Sequence, residues 1–299
     1  MPKTIINAAV YIYIFICVAL LLFNIGYVLY VKMRTRRDPE RVRTMLQFQM
    51  RVFGKGKKGT YTVTEAYREE LFGMLRHNVW LRAFHKALVK NDRRYGSDVT
   101  RAYLMACADV WLKTATCYCD RSAMERAYLA YIISVDFASV SSRIRGLGRI
   151  LLEFIKDGDT IYVRENVLKA LSTLGDARNI ERALLRLEDR GIRHHTHLLT
   201  EQFLRFNGDR VSFLRRMWAC KDKWNPQTRV ALIRAMTTVE ADFHLELIPQ
   251  MDVASGDEIF ALMRYFKRHP HRDAKARILR IASGEGNVAA YAAKLLMTA

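Results

Sequence analysis

Residues 163–187 read VRENVLKALSTLGDARNIERALLRL. Val163, Val167, Ala170, Leu171 and Leu174 recur at three- and four-residue spacing, which predicts one face of a short helix. Gly175-Asp176 interrupts the pattern, and Ile180, Ala183, Leu184 and Leu187 resume it. Two amphipathic helices joined by a tight turn follow, with Gly175 where a helix C-terminus turns left-handed and only glycine does so freely.

The same arrangement returns further along. Residues 229–236 (Arg229-Val230-Ala231 to Ala235-Met236) and 287–296 (Asn287-Val288-Ala289 to Leu295-Leu296) match residues 163–171, and residues 197–203 and 259–265 fill equivalent places. The anchors Val163, His197, Val230, Ile259 and Val288 recur about every 30 residues, a period typical of stacked helix pairs that bury their apolar faces against their neighbours. Breaks fall at 174–176, 189–191, 206–209, 224–226, 255–257, 269–270 and 284–287, and Asn225-Pro226 reads as an N-cap followed by proline at the first helical position.

Val163-Arg164 leading through Leu174-Gly175-Asp176-Ala177-Arg178 to Ile180, Ala183, Leu184 and Leu187 resembles the HEAT repeat. In that pattern a Val-Arg opens the second helix and a Gly-Asp turns into the next first helix. The resemblance covers residues 160–190 and extends over 225–299, while the unit around 195–207 lacks Val-Arg. It implies an all-α right-handed α-solenoid of antiparallel helix pairs that serves as a non-catalytic binding scaffold. The layout of the whole chain also resembles bacterial single-span HEAT-repeat membrane proteins that accompany membrane glycosyltransferases. That likeness implies an adaptor that holds or regulates a membrane-associated enzyme of that kind.

Upstream, residues 61–158 are expected to be helical throughout, with longer and more aromatic helices. Thr62 with Glu65 and Ser122 with Glu125 have the spacing of capping boxes. Helices are expected over 79–89, 99–118 and 143–155, and no sustained period-2 alternation signals a strand.

The N-terminal residues 1–31 form a candidate membrane anchor. No charged residue lies between Ala8 and Tyr30. A helix over residues 5–31 crosses a hydrocarbon core of about 30 Å, with Tyr11, Tyr13, Tyr27 and Tyr30 placed for the two interfaces. A cleaved signal peptide has a shorter apolar region followed by small residues, and here Lys and Arg follow. Asn24 is the polar exception, expected to bond to backbone or interfacial water, with contact to a partner's membrane helix as the alternative. Lys32, Arg34, Arg36, Arg37, Arg41 and Arg43 come immediately after the span, against Lys3 alone before it. The positive-inside rule therefore predicts a single-pass protein of the cell (inner or plasma) membrane, N-terminus outside and the rest cytoplasmic.

Residues 32–60 hold ten Lys/Arg against Asp38 and Glu40, a net charge of +8 within a total of +19. Those six basic residues suit anionic lipid headgroups, at about 1 kcal/mol each near the surface. Residues 41–52 are expected to form a short amphipathic helix that continues from the membrane helix or lies just beneath it, and 54–60 a basic linker. Gly54 to Thr60 lacks the P-loop lysine, since Thr60 stands in its place.

Few sites promise chemistry. The five cysteines lack metal-ligand spacing and read as reduced thiols. His194, His195 and His197, with Glu201 one turn on, are the best metal candidate, though solvated imidazoles in a capping turn are the plainer expectation. Glu240, Asp242, Glu246 and Asp252 form the clearest acidic group; Asp242 and Glu246 would share a face on a helix, most simply a solvated one. No catalytic residue, metal or cofactor is expected, and the chain is not expected to be an enzyme. Arg178, Arg182, Arg186 and Arg190 lie at i, i+4 steps, a stripe of like charge that calls for an anionic partner. The expected function is thus a membrane-anchored scaffold with that stripe as its partner-binding face. The alternative is a membrane-tethered nucleic-acid-binding repeat protein, using the same basic face with Trp218 and Trp224.

Overall fold

The structure is a computed structural model of residues 1–299; it describes all of them except 1–2, 54–62, 139, 141–143, 255 and 298–299, and the side chains of 3–10 and 29–37. Among the described residues the chain is all-helical, with no strand.

Helix α1 (Lys3–Phe53) is 51 residues long and continues through Pro39. Over Tyr11–Val28 its mean hydropathy is 2.2 and none of it is buried, so it is long and apolar enough to cross a membrane. Asn24 donates to the Leu20 carbonyl at 2.9 Å, so its polar group is satisfied within its own helix. The C-terminal end of α1 behaves differently. Val42, Met45, Phe48, Val52 and Phe53 are buried in the core. The apolar span and the amphipathic helix expected after it are therefore one element that ends inside the folded body. The boundary expected at residues 31–32 is no break in structure, and the Gly54–Thr60 linker, like Thr62, lies outside the described residues.

The chain proceeds through α2 (Glu65–Leu75), α3 (Asn78–Tyr95), α4 (Ser97–Ala106), α5 (Ala108–Tyr118) and α6 (Ala123–Asp136). Thr64, not Thr62, caps α2, accepting from the Tyr67 amide at 3.3 Å. The helix expected over 99–118 is split at Cys107, which leaves helical geometry. Ser122 and Glu125 do form a reciprocal capping box on α6. Around them Phe48 stacks on Tyr67 with centroids 4.3 Å apart, and Tyr67 and Tyr103 share a buried hydroxyl–hydroxyl bond of 2.9 Å.

The helix expected over 143–155 shrinks to α7 (Leu147–Leu152), although Ile144 and Phe154 are still buried beside it. Then come α8 (Ile161–Leu174), α9 (Ala177–Asp189), α10 (Thr196–Leu204), α11 (Arg210–Ala219), α12 (Pro226–Thr238), α13 (His244–Leu247), α14 (Asp257–Arg268), α15 (Arg272–Ala282) and α16 (Asn287–Met297). Asp176, Asp209 and Asn225 cap α9, α11 and α12 with side-chain oxygens on backbone amides. Gly175 closes α8 at φ +67°, and an added Cβ would clash with the Asn207 carbonyl oxygen, so glycine is required by both torsion and space.

Packing runs from neighbour to neighbour. One series of contacts joins α1 to α3, α3 to α6, and then α8, α10, α12, α14 and α16 in turn; another joins α2, α5, α7 and α9. Of the expected anchors, Val163, Val230 and Ile259 are buried. His197 is exposed, and Leu199 and Phe203 bury the face of α10 instead.

Candidate functional site

The arginine stripe divides in two. Arg178 and Arg182 are exposed on α9, opposite its buried Ile180, Ala183, Leu184 and Leu187, and neither pairs with a carboxylate among the described residues. Arg186 instead reaches back to the C-terminal end of α7, donating to the Leu152 carbonyl at 2.9 Å and pairing with Glu153 at 2.9 Å. Arg190 pairs with Asp157 at 2.9 Å. These two arginines therefore fasten α9 to the preceding segment, and only the first half of the stripe faces outward unpaired.

Beside it opens a cleft of about 420 Å³ lined by Arg145, Arg178 and Arg216 together with Asp176. Asp176 is occupied as the cap of α9, and Arg216 pairs with Glu181 at 2.7 Å. Three cations against those two carboxylates leave a net charge of +1 (3 − 2). A cradle for a nucleic-acid backbone needs several uncompensated cations. Trp218 and Trp224 are buried and donate their indole N–H groups to the Glu246 and Met217 carbonyls, so neither offers a face for base stacking.

The histidines diverge. His195 caps α10 through its Nδ1, His197 is exposed and pairs with Glu201 at 3.3 Å, and His194 is buried. Among the described residues no group of three or more His, Cys, Asp or Glu side chains is placed to hold a metal ion. Burial, with Arg164 nearby, pulls the His194 imidazole down to about 4 from its ordinary value near 6.5. The unfolded chain binds that proton at a higher pH than the folded one. Stability tied to His194 is thus complete above pH 6.5 and is lost as pH falls toward 4, by about 3 kcal/mol in total. His85 works in the opposite sense. Its bond to Asp136 at 2.9 Å raises its pKa, so its contribution is present below pH 6.5 and lost as pH rises through the raised value. Urea melts at pH 6.5 and 4.5 should show a smaller acid loss for His194→Gln than for the unaltered chain.

Three of the four acidic side chains also disperse onto separate partners. Asp242 pairs with His244 at 2.8 Å, Glu246 with Arg215 at 2.9 Å and Asp252 with Arg277 at 3.0 Å. Asp242 precedes α13, so it and Glu246 do not share a helix face. Cys107 is buried, and burial pushes its thiol up to about 12, which leaves it almost no thiolate.

At the other end of the body, Arg41 pairs with Asp38 at 3.4 Å, while Arg43 is exposed and unpaired among the described residues. Lys32, Arg34, Arg36 and Arg37 lie on α1, with side chains outside the described residues. Arg43 borders a groove of about 710 Å³ between α1 and α3, where Lys86, Lys90 and Arg93 stand on the facing helix. Sequence reading passed over this group because its members lie some 45 positions apart. Its one local signal is Lys86, Lys90 and Arg93 at i, i+4 and i+7. Compared with protein-family models, curated proteins and solved structures, the chain matches none.

Proposed function

We propose that this chain is a membrane-anchored scaffold. The apolar part of α1 sits in the bilayer, the basic residues after it keep the body on the cytoplasmic side, and α2–α16 form a HEAT-like solenoid that holds a membrane-associated partner. A membrane glycosyltransferase is the partner class suggested by the resemblance of the layout. The observation that carries the proposal is the continuity of α1. A helix that is apolar and exposed over Tyr11–Val28, and whose last turns lie in the core, ties the body to the membrane without a flexible joint. Neighbour-to-neighbour packing from α6 to α16 supports the solenoid, because such stacking leaves an extended surface for a partner. The exposed pair Arg178 and Arg182 is the partner-binding candidate, while Arg186 and Arg190 hold the body together.

The test is affinity capture of the full-length protein from detergent-solubilised membranes, comparing the unaltered chain with Arg178→Ser/Arg182→Ser. A stoichiometric membrane partner is expected with the former, reduced about tenfold with the latter if one or two charge contacts are lost. Alkaline extraction is expected to leave the protein in the membrane pellet. Release into the supernatant, or no partner loss in the variant, overturns the anchor or the binding face respectively.

A further inference from the structure

The groove between α1 and α3 lies where the anchor enters the body. Asn91 donates to Gln49 at 2.7 Å and the Tyr95 hydroxyl to the Met50 sulfur at 3.1 Å, while His85 and Lys86 face Asp38 and Val42 across the groove. The two helices therefore rise together, and the groove opens on the membrane side of their buried seam. Pro39, Val42, Leu46 and Val89 give it an apolar lining. Arg43, Lys86, Lys90 and Arg93 stand around this lining, all exposed and none paired with a carboxylate among the described residues. Within the groove Asp38 is taken by Arg41 and His85 by Asp136. Four free cations around an apolar strip ask for an occupant that is apolar along one side and acidic along its flanks.

We propose that this groove receives an acidic amphipathic helix that continues a membrane span of the partner. The proposal rests on the anchoring described above. Height decides against lipid. Arg43 lies twelve residues past the end of the uncharged run, about 18 Å along the helix, whereas the headgroup layer adds only about 5–8 Å to each side of the hydrocarbon. Arg43 thus stands roughly a Debye length above the lipid phosphates. A helix leaving the bilayer beside α1 reaches that height within three or four turns. Charge decides against a second copy of this chain, whose own segment at that level, residues 32–60, carries +8. Apolar residues at i, i+3 or i+4 and i+7 of the partner helix would lie along Val42, Leu46 and Val89, with Asp or Glu beside them meeting Lys86, Lys90, Arg43 and Arg93.

The experiment places a photo-crosslinking side chain at Leu46, at Val89 or, separately, at Arg182 in the full-length protein in native membranes, and maps the adducts by mass spectrometry. Adducts from 46 and 89 should fall on a carboxylate-bearing segment directly after a partner's span. Lys86→Glu/Lys90→Glu, checked for an unchanged melting curve, should reduce them about tenfold. Reversing the partner's mapped carboxylates to lysine should restore them. Adducts only to lipid or to a second copy, no adduct at 46 or 89, or no effect of the charge reversal would each overturn the groove assignment. An adduct at 182 without any at 46 or 89 would overturn it while leaving the scaffold proposal standing.

Discussion

A chain beginning at residue 38 is expected to fold, and one beginning at residue 54 is expected not to. The five apolar side chains Val42, Met45, Phe48, Val52 and Phe53 are all under one-tenth exposed. At about 1.5–3 kcal/mol for each large apolar side chain buried, they contribute roughly 8–15 kcal/mol. That equals the entire net stability of an ordinary domain, about 5–15 kcal/mol. Their removal also strands Asn91, which is buried and bonded to Gln49. The shorter deletion removes only the exposed apolar stretch and the basic residues through Arg37. Circular dichroism melts separate the two cases. A cooperative transition in the chain that starts at residue 54 would mean that the end of α1 is an attachment and not a structural helix.

The second large effect is expected at Arg126. This buried guanidinium donates to the Phe154 carbonyl at 3.1 Å, to the Arg121 carbonyl at 2.6 Å and to the Asp159 carboxylate, whose other oxygen accepts from the Lys156 amide at 2.7 Å. Both charged side chains are nearly inaccessible, at 6% and 5%. Asp159→Ala would leave an uncompensated buried cation, and loss of one partner of such a pair costs about 3–5 kcal/mol. Replacing both, as Arg126→Met/Asp159→Leu, removes the stranded charge along with the attraction. It should recover most of that loss in a chemical denaturation cycle. If the double replacement is as unstable as Asp159→Ala, the cost lies in the carbonyl bonds of Arg126 and not in its charge.

The apolar span was legible because hydrophobicity and length are properties of the stretch itself, and so were Ser122–Glu125 and Asn225-Pro226, whose chemistry is local. The register of α8, α12 and α14 was legible from spacing, since it repeats the face each must bury. What escaped depends on partners brought from a distance. Arg186 looked like one of four equal arginines until Glu153, 33 positions earlier, came alongside. The charges of Glu246 and Asp252 looked clustered until Arg215 and Arg277 took them separately. The sequence left open whether residues 41–52 continue the apolar helix or lie just beneath it, and α1 runs unbroken through Pro39 to bury its last turns in the core. The α1–α3 groove escaped for the same reason, as its cations meet only once the two helices pack.

Packing between neighbours has a consequence for how the protein is made. Most hydrogen bonds that join one helix to another span about 30 to 50 positions, as in Arg186 to Leu152 at 34, Asn91 to Gln49 at 42 and His85 to Asp136 at 51. Short separations close cheaply and quickly. Synthesis delivers about 5–20 residues per second, so each new helix finds its docking face already complete on the ribosome within a few seconds. The end of α1 finds α3 after some 40 further residues and seals its apolar turns before α16 exists. Aggregation-prone surface of the folding body is therefore confined at any moment to the last helix pair emerged.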